Sequence, residues 1–311
     1  MEPQVDIILL NFNGYKDTID CVKSLENISY SNYNVIIVDN NSNDNSEEEI
    51  KKYIETKKNL IFIQSGKNLG FSGGNNVGIK YAIDNGADYI CLLNNDTIVK
   101  HDFLNILVET MENDASIGIA AGKIMYHSQP DVIWSAGGYI DYKRALGCHY
   151  GMMKNISNPN YNTEKEVTFL TGCLQLIRRE VFHKIGFYDD EYFLYMEDVD
   201  FCYRCRNSGY KLKYIPSSHI YHKVSASTGN GSPLMLYYMT RNRLLYNKKN
   251  QKNIVMRLYL YIFISMKLLL EFIRNRQNLK YFMKSVRDYR MSNFGQVDLT
   301  ITKGKFIGRE R

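Results

Sequence analysis

The feature that most constrains this chain is an alternation of short apolar runs with helical segments, in which the runs end in clusters rich in Asn and Asp. The first four runs are residues 5–10, 35–38, 60–63 and 89–93. Apolar residues at helical spacing lie between them, so the alternation predicts an α/β fold with a parallel sheet and right-handed crossovers. Ligands bind outside the carboxyl ends of strands in such sheets, so the polar clusters predict a single cleft.

The later part of the chain is less regular. We expect strands at 117–121, 166–170 and 212–215, and helices at 103–111, from about Arg179, and over 197–207. For residues 122–165 we expect a hairpin or loops that lie over the sheet. From about residue 232 the composition becomes helical, so we divide the chain into an α/β part, 1–231, and a helical region, 232–311.

Composition and charge bound the choice of partners. The chain has 311 residues, is 44% hydrophobic and carries a net charge of +6, which suits an anionic substrate or a membrane surface. No zinc-finger spacing or helix-turn-helix cue is present, so we expect no nucleic-acid partner. The six cysteines are scattered and no secretory core precedes them, which predicts a cytoplasmic protein with reduced thiols.

The helical region contains an apolar and aromatic stretch at 254–273. Its uninterrupted core, 258–266, is too short to span a bilayer, which needs about 20 apolar residues. The stretch therefore predicts either a packed helix or a helix lying in a membrane interface, with basic residues flanking it.

The early loops exclude two common nucleotide sites, because neither G-x-G-x-x-G nor a P-loop is present. Asp39, after the second strand, is well placed to accept a hydrogen bond from a nucleobase or ribose. Gly70 and Gly73 would let the backbone approach a ligand closely at a helix start, although a plain loop explains the same glycines.

Asp96 follows the fourth strand and offers an oxygen ligand for Mg²⁺ or Mn²⁺, which prefer carboxylates combined with substrate phosphates. A turn or a helix cap explains a lone Asp there equally well. His222 could add an imidazole ligand, and a surface or capping histidine is the alternative interpretation.

Glu197 and Asp198 open a predicted helix after an aromatic run. Acidic residues are expected in a first helical turn, where they complement the helix dipole. The functional interpretation is a general base held on a rigid helix start. Asp200 points elsewhere on the helix, and we interpret it as structural.

Four stretches resemble the family 2 glycosyltransferases, and within them the rhamnosyltransferase-like branch. They are IVDNNS (37–42), NLGFSGGNN (68–76), LLNNDT (92–97) and FLYMEDVDFCYR (193–204). They occur in the order typical of that family, and the resemblance extends over about residues 5 to 245. It implies a GT-A fold, that is, a mixed and mainly parallel central sheet, followed here by C-terminal helices.

The resemblance also implies roles for individual residues. Asp198, with Glu197 beside it, matches the catalytic base; Asp96 matches the metal ligand, with Asn94 standing where the family often has a first Asp. His222 matches a histidine that serves the metal or the diphosphate. The residues that would bind the sugar donor are Asn11, Asn13, Asp39, Asn41, Asn68, Gly70, Gly73, Asn75, Asn95 and Arg241.

The implied function is inverting transfer of a sugar, rhamnose from dTDP-rhamnose, with Mg²⁺ or Mn²⁺ as cofactor. A UDP-sugar donor remains open, as does a non-catalytic sugar-nucleotide or glycan-binding module. The expected acceptor is a cell-surface glycan or a polyprenyl-diphosphate-linked oligosaccharide. Residues 1–125 would then form the donor half and 126–231 the acceptor half. The C-terminal region would contact the inner face of the cell membrane, making the enzyme peripheral, or a second copy in a homodimer.

Overall fold

The computed structural model describes residues 2–224, 232–274 and 276–297. Twelve strands and nine α-helices are present in these ranges. The strands are β1 (Val5–Asn11), β2 (Tyr33–Asp39), β3 (Leu60–Gln64), β4 (Tyr89–Asn94), β5 (Thr97–Val99), β6 (Ile117–Tyr126), β7 (Gln129–Ser135), β8 (Gly138–Asp141), β9 (Leu146–His149), β10 (Lys165–Val167), β11 (Leu174–Arg178) and β12 (Lys211–His222). The helices are α1 (Tyr15–Leu25), α2 (Ser46–Ile54), α3 (Gly70–Asp84), α4 (Phe103–Asn113), α5 (Arg179–Ile185), α6 (Glu197–Asn207), α7 (Pro233–Asn250), α8 (Ile254–Arg274) and α9 (Arg276–Arg290).

One sheet runs through the α/β part, in the order β10-β12-β6-β11-β4-β1-β2-β3. Strands β1 to β4, β6 and β12 run in one direction, whereas β5, β7, β10 and β11 run against them. The sheet is thus mixed and mainly parallel, as predicted. The first strand is mostly apolar, as expected of a strand buried on both faces; residues 5–9 of β1 are all buried.

The part of the sheet formed by residues 126–231 differs from the sequence prediction. The predicted strand 166–170 is present only as the edge strand β10, and the central strand is β11, which lies between β4 and β6. Leu174, Leu176 and Ile177 are completely buried there. Phe169 and Leu170 are also buried, but they pack into the core from the connection before β11. The prediction relied on hydrophobicity alone and therefore misplaced the strand.

Residues 122–165 contain more strand than expected. β6 continues to Tyr126, β7 pairs with it, and β8 and β9 form a separate hairpin. β12 also continues beyond the predicted end at Ile215, because Pro216 lies in a bulge between Ile215 and His219. A bulge tolerates the missing N–H of proline, so the strand resumes and carries on to His222.

The C-terminal region consists of three helices, as predicted, the last of which ends at Arg290; residues 298–311 lie outside those described. α7 packs against α8, α9 and α6. Within the described ranges, none of the helices combines the length and the apolar character that crossing a bilayer requires.

Candidate active site

Asp39, the predicted base-reading acid, lies at the end of β2 and is completely buried. Its Oδ1 accepts hydrogen bonds from Asn11 Nδ2 at 2.7 Å and from Ser42 Oγ at 2.6 Å. Its Oδ2 accepts from the Ser42 N–H and from Gln64 Nε2, each at 3.0 Å. These four donors occupy the acceptor positions of the carboxylate. In this structure Asp39 therefore orders the loop after β2, and its contact with a nucleobase stays a prediction.

A relay of side chains connects Asp39 to the residue before Asp96. Asn95 Nδ2 donates to Thr18 Oγ1 at 2.9 Å, and Thr18 Oγ1 donates to Asn11 Oδ1 at 2.8 Å. Asn11 in turn donates to Asp39. The structure thus brings together three predicted site residues, joined by Thr18.

Two further predicted residues shape the same strand ends. Asn13 and Asn41 are exposed and adopt left-handed backbone angles, with φ of 54° and 61°. Asn13 Oδ1 accepts from the Asn43 N–H at 2.9 Å, which ties the loop after β1 to the loop after β2. Asn is among the residues that tolerate this conformation best, which explains its use in both loops.

The turn before α3 is held by Asn40, whose Nδ2 donates to Asn68 Oδ1 at 3.2 Å and to the Gly70 carbonyl at 3.1 Å. Gly70 has a φ of +71°, and a Cβ there would lie 2.2 Å from the carbonyl oxygen of Phe193. The close backbone approach that the glycine permits is therefore to Phe193 of the same chain.

Gly73 and Asn75 lie within α3 and are buried. A Cβ on Gly73 would lie 2.8 Å from Leu69 Cβ, and Asn75 Nδ2 donates to the Phe71 carbonyl at 2.9 Å. Both residues serve local packing in this structure, and their contact with a sugar donor stays a prediction.

Asp96 and His222 meet at the end of the sheet, because β5 pairs with β12 and sets Thr97 opposite His222. His222 Nε2 lies 3.0 Å from Asp96 Oδ1, and the Lys223 N–H donates to the Asp96 carbonyl at 2.9 Å. The side chains are 14% and 8% exposed for Asp96 and His222. Burial disfavours the imidazolium of His222, but Cys173 and Asp96 outweigh it and raise the pKa of His222 to about 10.

We call the pair of Asp96 and His222 the Asp96 corner. An aromatic wall, made of Trp134 and His149, lies beside it. The Trp134 ring lies 4.7 Å from the His222 ring and 4.8 Å from the His149 ring, between centroids. His149 Nδ1 lies 2.9 Å from Ser135 Oγ. Burial, and the neighbouring His222, lower the pKa of His149 to about 4, so its ring is neutral at pH 7.

The corner suits a hard divalent cation only in part. Within the described ranges no group of three or more His, Cys, Asp or Glu side chains could hold a metal ion. Asp96 offers carboxylate oxygen. His222 would offer an imidazole nitrogen once a metal ion displaced the proton that its raised pKa retains, and Mn²⁺ accepts such a nitrogen more readily than Mg²⁺ does. Within the described part of the chain, His222 Nδ1 is buried without a hydrogen-bond partner. Two protein ligands would leave the remaining positions to water and to the phosphates of a substrate.

Asp198 and Glu197 begin α6, as predicted. Asp198 is partly buried; its Oδ2 accepts from the Gly172 N–H at 3.1 Å and its Oδ1 from the Val199 N–H at 2.8 Å. Burial raises the pKa of Asp198 to about 6. Glu197 is buried, one of its carboxylate oxygens has no hydrogen-bond partner among the described residues, and burial followed by the charge of Asp198 raises its pKa.

The turn Thr171–Gly172–Cys173 brings the two acidic corners together. Gly172 faces Asp198, and the Cys173 carbonyl accepts from the Asn94 N–H at 3.0 Å, two residues before Asp96. A Cβ on Gly172 would lie 3.0 Å from the Phe71 ring and 3.7 Å from Asp198 Cβ. The glycine therefore leaves room for the Phe71 ring at the start of α3 and for the side chain of the predicted base, Asp198.

The loop before α6, residues 189–196, is strained. Phe193, Tyr195 and Met196 have φ of 64°, 67° and 77°. Each non-glycine residue with left-handed backbone angles costs about 1–3 kcal/mol of folding free energy. The loop therefore keeps this conformation only because surrounding residues hold it.

Arg241 helps to keep this loop in place. The sequence instead predicted that Arg241 contacts the donor phosphates. Its side chain is completely buried and its Nη2 donates to the carbonyls of Glu191 at 3.1 Å and Tyr192 at 2.9 Å. Its Nη1 donates to the Gly295 carbonyl at 2.8 Å. Most N–H groups of the guanidinium are thus bound to backbone carbonyls, away from any surface that a phosphate could reach.

Sequence reasoning missed several residues of this site. Trp134 carried one signal, since it is the single tryptophan of the chain. Thr18, Cys173 and Gly172 had none, because each acts through a contact with a residue far along the chain.

Comparison with known proteins bears on the family and on the fold. The glycosyl transferase family 2 model matches residues 6–186, more than half of the chain. The chain is 24% identical over 247 residues to the low-salt glycan biosynthesis hexosyltransferase Agl10 of Haloferax volcanii, covering 79% of this chain and 76% of that protein. It is 23% identical over 304 residues to the dTDP-rhamnosyl transferase RfbF of Shigella flexneri, covering 92% and 94%.

Among solved structures, GalNAc-T7 with UDP, GalNAc and Mn²⁺ superposes with a TM-score of 0.67 at 16% identity, over 93% of this chain. The chain spans 55% of the length of that structure. The likeness shows the fold, which is GT-A. Together with the family match, it establishes that the chain belongs to glycosyl transferase family 2.

Proposed function

We propose that this protein transfers a sugar from a nucleoside-diphosphate sugar to a hydroxyl group, with inversion at the anomeric carbon. The observation that carries the proposal is the position of Asp198. Its carboxylate has a pKa of about 6, so it is ionised at pH 7 yet basic enough to take a proton. It stands across one turn from the Asp96 and His222 corner.

The chemistry follows from these positions. Asp198 accepts the proton of the acceptor hydroxyl, whose oxygen attacks the anomeric carbon from the face opposite the leaving diphosphate. Asp96 and His222 are the residues that would hold Mg²⁺ or Mn²⁺, which offsets charge developing on the leaving diphosphate when bound. Asn95, Thr18 and Asn11 keep the strand ends in register with that corner.

For the donor we propose dTDP-rhamnose, with a UDP-sugar as the alternative. The likeness to RfbF extends over nearly the whole of both chains, which supports the rhamnosyl donor. Residues 1–125 would form the donor half, and 126–231 would face a cell-surface glycan or a polyprenyl-diphosphate-linked acceptor. Trp134 and His149 belong to that acceptor half and border the proposed metal corner.

A thermal-shift screen of nucleotide sugars with Mn²⁺ or Mg²⁺ tests the donor. A donor at 100 times its dissociation constant should stabilise the chain by about 2.7 kcal/mol, and only in the presence of metal. The matched control is the same screen on Asp96→Asn. A shift with UDP-sugars and none with dTDP-rhamnose would overturn the rhamnosyl assignment. Binding without transfer or hydrolysis of any donor would instead support the non-catalytic binding module.

We also propose that α8 and α9 bind an anionic membrane surface. One face of α8 exposes large apolar side chains, each 44–70% exposed, while Leu260 and Ile264 on the other face are buried. The exposed residues are Ile254, Val255, Leu258, Tyr259, Ile262, Met266, Leu269 and Leu270. α9 exposes Lys280, Met283, Arg287 and Arg290 on one face. An apolar face beside a basic one suits a helix that lies in a bilayer interface.

Charge favours a lipid surface over a second copy of the chain. Residues 248–290 contain eleven Lys and Arg and two Asp and Glu, a formal charge of +9, whereas the whole chain carries +6. The rest of the chain is therefore net negative, at −3. Two copies meeting through this region would bring like charges together, while anionic lipids attract it by about 1 kcal/mol per basic residue near the surface.

Flotation of the full chain with vesicles of phosphatidylglycerol and phosphatidylcholine tests the surface. We expect binding that weakens with salt and is lost in the double variant Leu258→Glu, Ile262→Glu. The control variant Met152→Glu, Met153→Glu changes two exposed apolar residues elsewhere and should float normally. Equal flotation of the two variants would refute this assignment, and a dimer broken by the α8 variant would indicate a second copy instead.

A further inference from the structure

The loop 189–196 connects the two halves of the proposed site. At its start, Asn76 Nδ2 donates to Asp190 Oδ1 at 2.7 Å, and in its middle the Phe193 carbonyl accepts from the Phe71 N–H at 2.6 Å. At its end, Met196 is the left-handed residue that directs the chain into Glu197 and Asp198. The path of this loop therefore sets where the carboxylate of Asp198 stands relative to the turn before α3.

Asn242 of α7 forms hydrogen bonds with the strained part of the loop. Its Nδ2 lies 2.8 Å from each of three carbonyl oxygens, those of Tyr192, Leu194 and Tyr195. These carbonyls surround Phe193 and Tyr195, two of the three left-handed residues. Asn242 is completely buried, so water cannot replace it as the donor.

Arg241 fixes the direction of that amide. Its Nε donates to Asn242 Oδ1 at 2.9 Å, which leaves Nδ2 facing the loop. Its Nη2 donates to two loop carbonyls, and its guanidinium carbon lies 4.8 Å from the centre of the Tyr238 ring. Tyr238 stacks on Phe193 with 5.4 Å between ring centroids. Two adjacent residues of a C-terminal helix thus hold one loop through its carbonyls and through its aromatic side chain.

We propose that Arg241 and Asn242 are positioning residues, which act on Asp198 through the loop 189–196. Both side chains are completely buried, and most of their hydrogen bonds go to carbonyls of this loop. Their effect is to maintain the left-handed segment that places Asp198 against the Gly172 N–H. The proposal deepens the transferase function, and its kinetic test rests on that function.

The test compares Asn242→Ala and Asn242→Asp with a control in the same helix. Asn247→Ala is that control, because Asn247 is also buried in α7 but its Nδ2 faces the Arg257 carbonyl of α8, at 3.4 Å. We expect Asn242→Ala to lower kcat about 10- to 100-fold, the usual effect of a small misplacement of a catalytic group, with KM for the donor changed less than about threefold. Asn242→Asp should be at least as impaired, because a carboxylate would face three carbonyls. Asn247→Ala should keep kcat within about threefold.

Hydrogen exchange over residues 189–198 gives a second readout that needs no turnover. Both Asn242 variants should lose amide protection there, while Asn247→Ala should not. If Asn242→Ala does not fold, Arg241→Lys keeps the charge and most of the volume but loses the fork, and should show the same pattern. Normal kcat with normal loop protection in Asn242→Ala would overturn the proposal, as would an equal loss of kcat in Asn247→Ala. If the unaltered chain transfers no sugar, the proposed function fails, whereas the exchange data still decide the role of Asn242.

Discussion

The two acidic corners of the site are built in opposite ways. Asp96 follows a buried central strand and meets His222 because β5 and β12 pair, so strand register fixes its position. Asp198 follows a strained loop, and side chains of a distant helix hold that loop in place. The proposed metal corner is therefore part of the sheet, whereas the proposed base depends on the C-terminal region.

The strongest test of this difference between the Asp96 and Asp198 corners is the variant Asp198→Asn. The amide keeps the size of the side chain but cannot take a proton, so we expect kcat to fall about 10²- to 10⁴-fold while donor binding is retained. Initial rates and thermal shifts with the donor measure the two effects.

Asp200→Asn is the matched control for this variant. Asp200 accepts from Asn250 Nδ2 at 2.6 Å and from Arg204 Nε at 2.6 Å, so its loss should lower thermal stability more than kcat. Unchanged turnover in Asp198→Asn would show that the base lies elsewhere.

A smaller effect is expected at the corner formed by Asp96 and His222. His222→Gln should raise the Mn²⁺ concentration needed for half-maximal activity about 10- to 100-fold, the range found when groups around a bound metal are removed. Metal titration at saturating donor measures it.

His149→Gln serves as the control for this prediction, because the His149 ring packs on Trp134 and its Nδ1 lies 2.9 Å from Ser135 Oγ. An equal shift in both variants would mean that the aromatic wall, rather than a metal ligand, sets the metal requirement.

The smallest effect concerns pH. Because burial raises the pKa of Asp198 to about 6, the carboxylate is ionised above that pH and protonated below it. The rate with saturating donor should therefore fall as pH drops through 6, approaching tenfold per pH unit below it. A rate profile from pH 5 to 8, with donor binding followed in parallel, measures this; a flat profile would contradict Asp198 as the base.

The sequence predicted the fold of residues 1–125 well, for a physical reason. Its strands are buried on both faces and each returns through a helix, so hydrophobic runs and helical periodicity carry the information locally. The polar residues that end these strands are equally local signals, and they point to Asp39 and Asp96 as candidate site residues.

The fold of residues 126–231 was predicted less well because the order of its strands depends on contacts between distant segments. β11 inserts between β4 and β6, and nothing in its five residues distinguishes it from the apolar stretch just before it. Pro216 suggested a strand end, but a bulge accommodates it. The family resemblance implied that Arg241 contacts donor phosphates, and only the structure shows that backbone carbonyls accept most of its hydrogen bonds.

The pairing of β5 with β12 has a consequence for synthesis of the chain. Asp96 leaves the ribosome 126 residues before His222, and the donor-half strands can pair while the rest is still being made. The corner closes only when β12 arrives, and Asp198 gains its support only after Asn242 has followed. During translation residues 1–125 can therefore fold early, but the candidate site is assembled late, and a chain stopped before residue 242 would lack the support of Asp198 despite its ordered first strands.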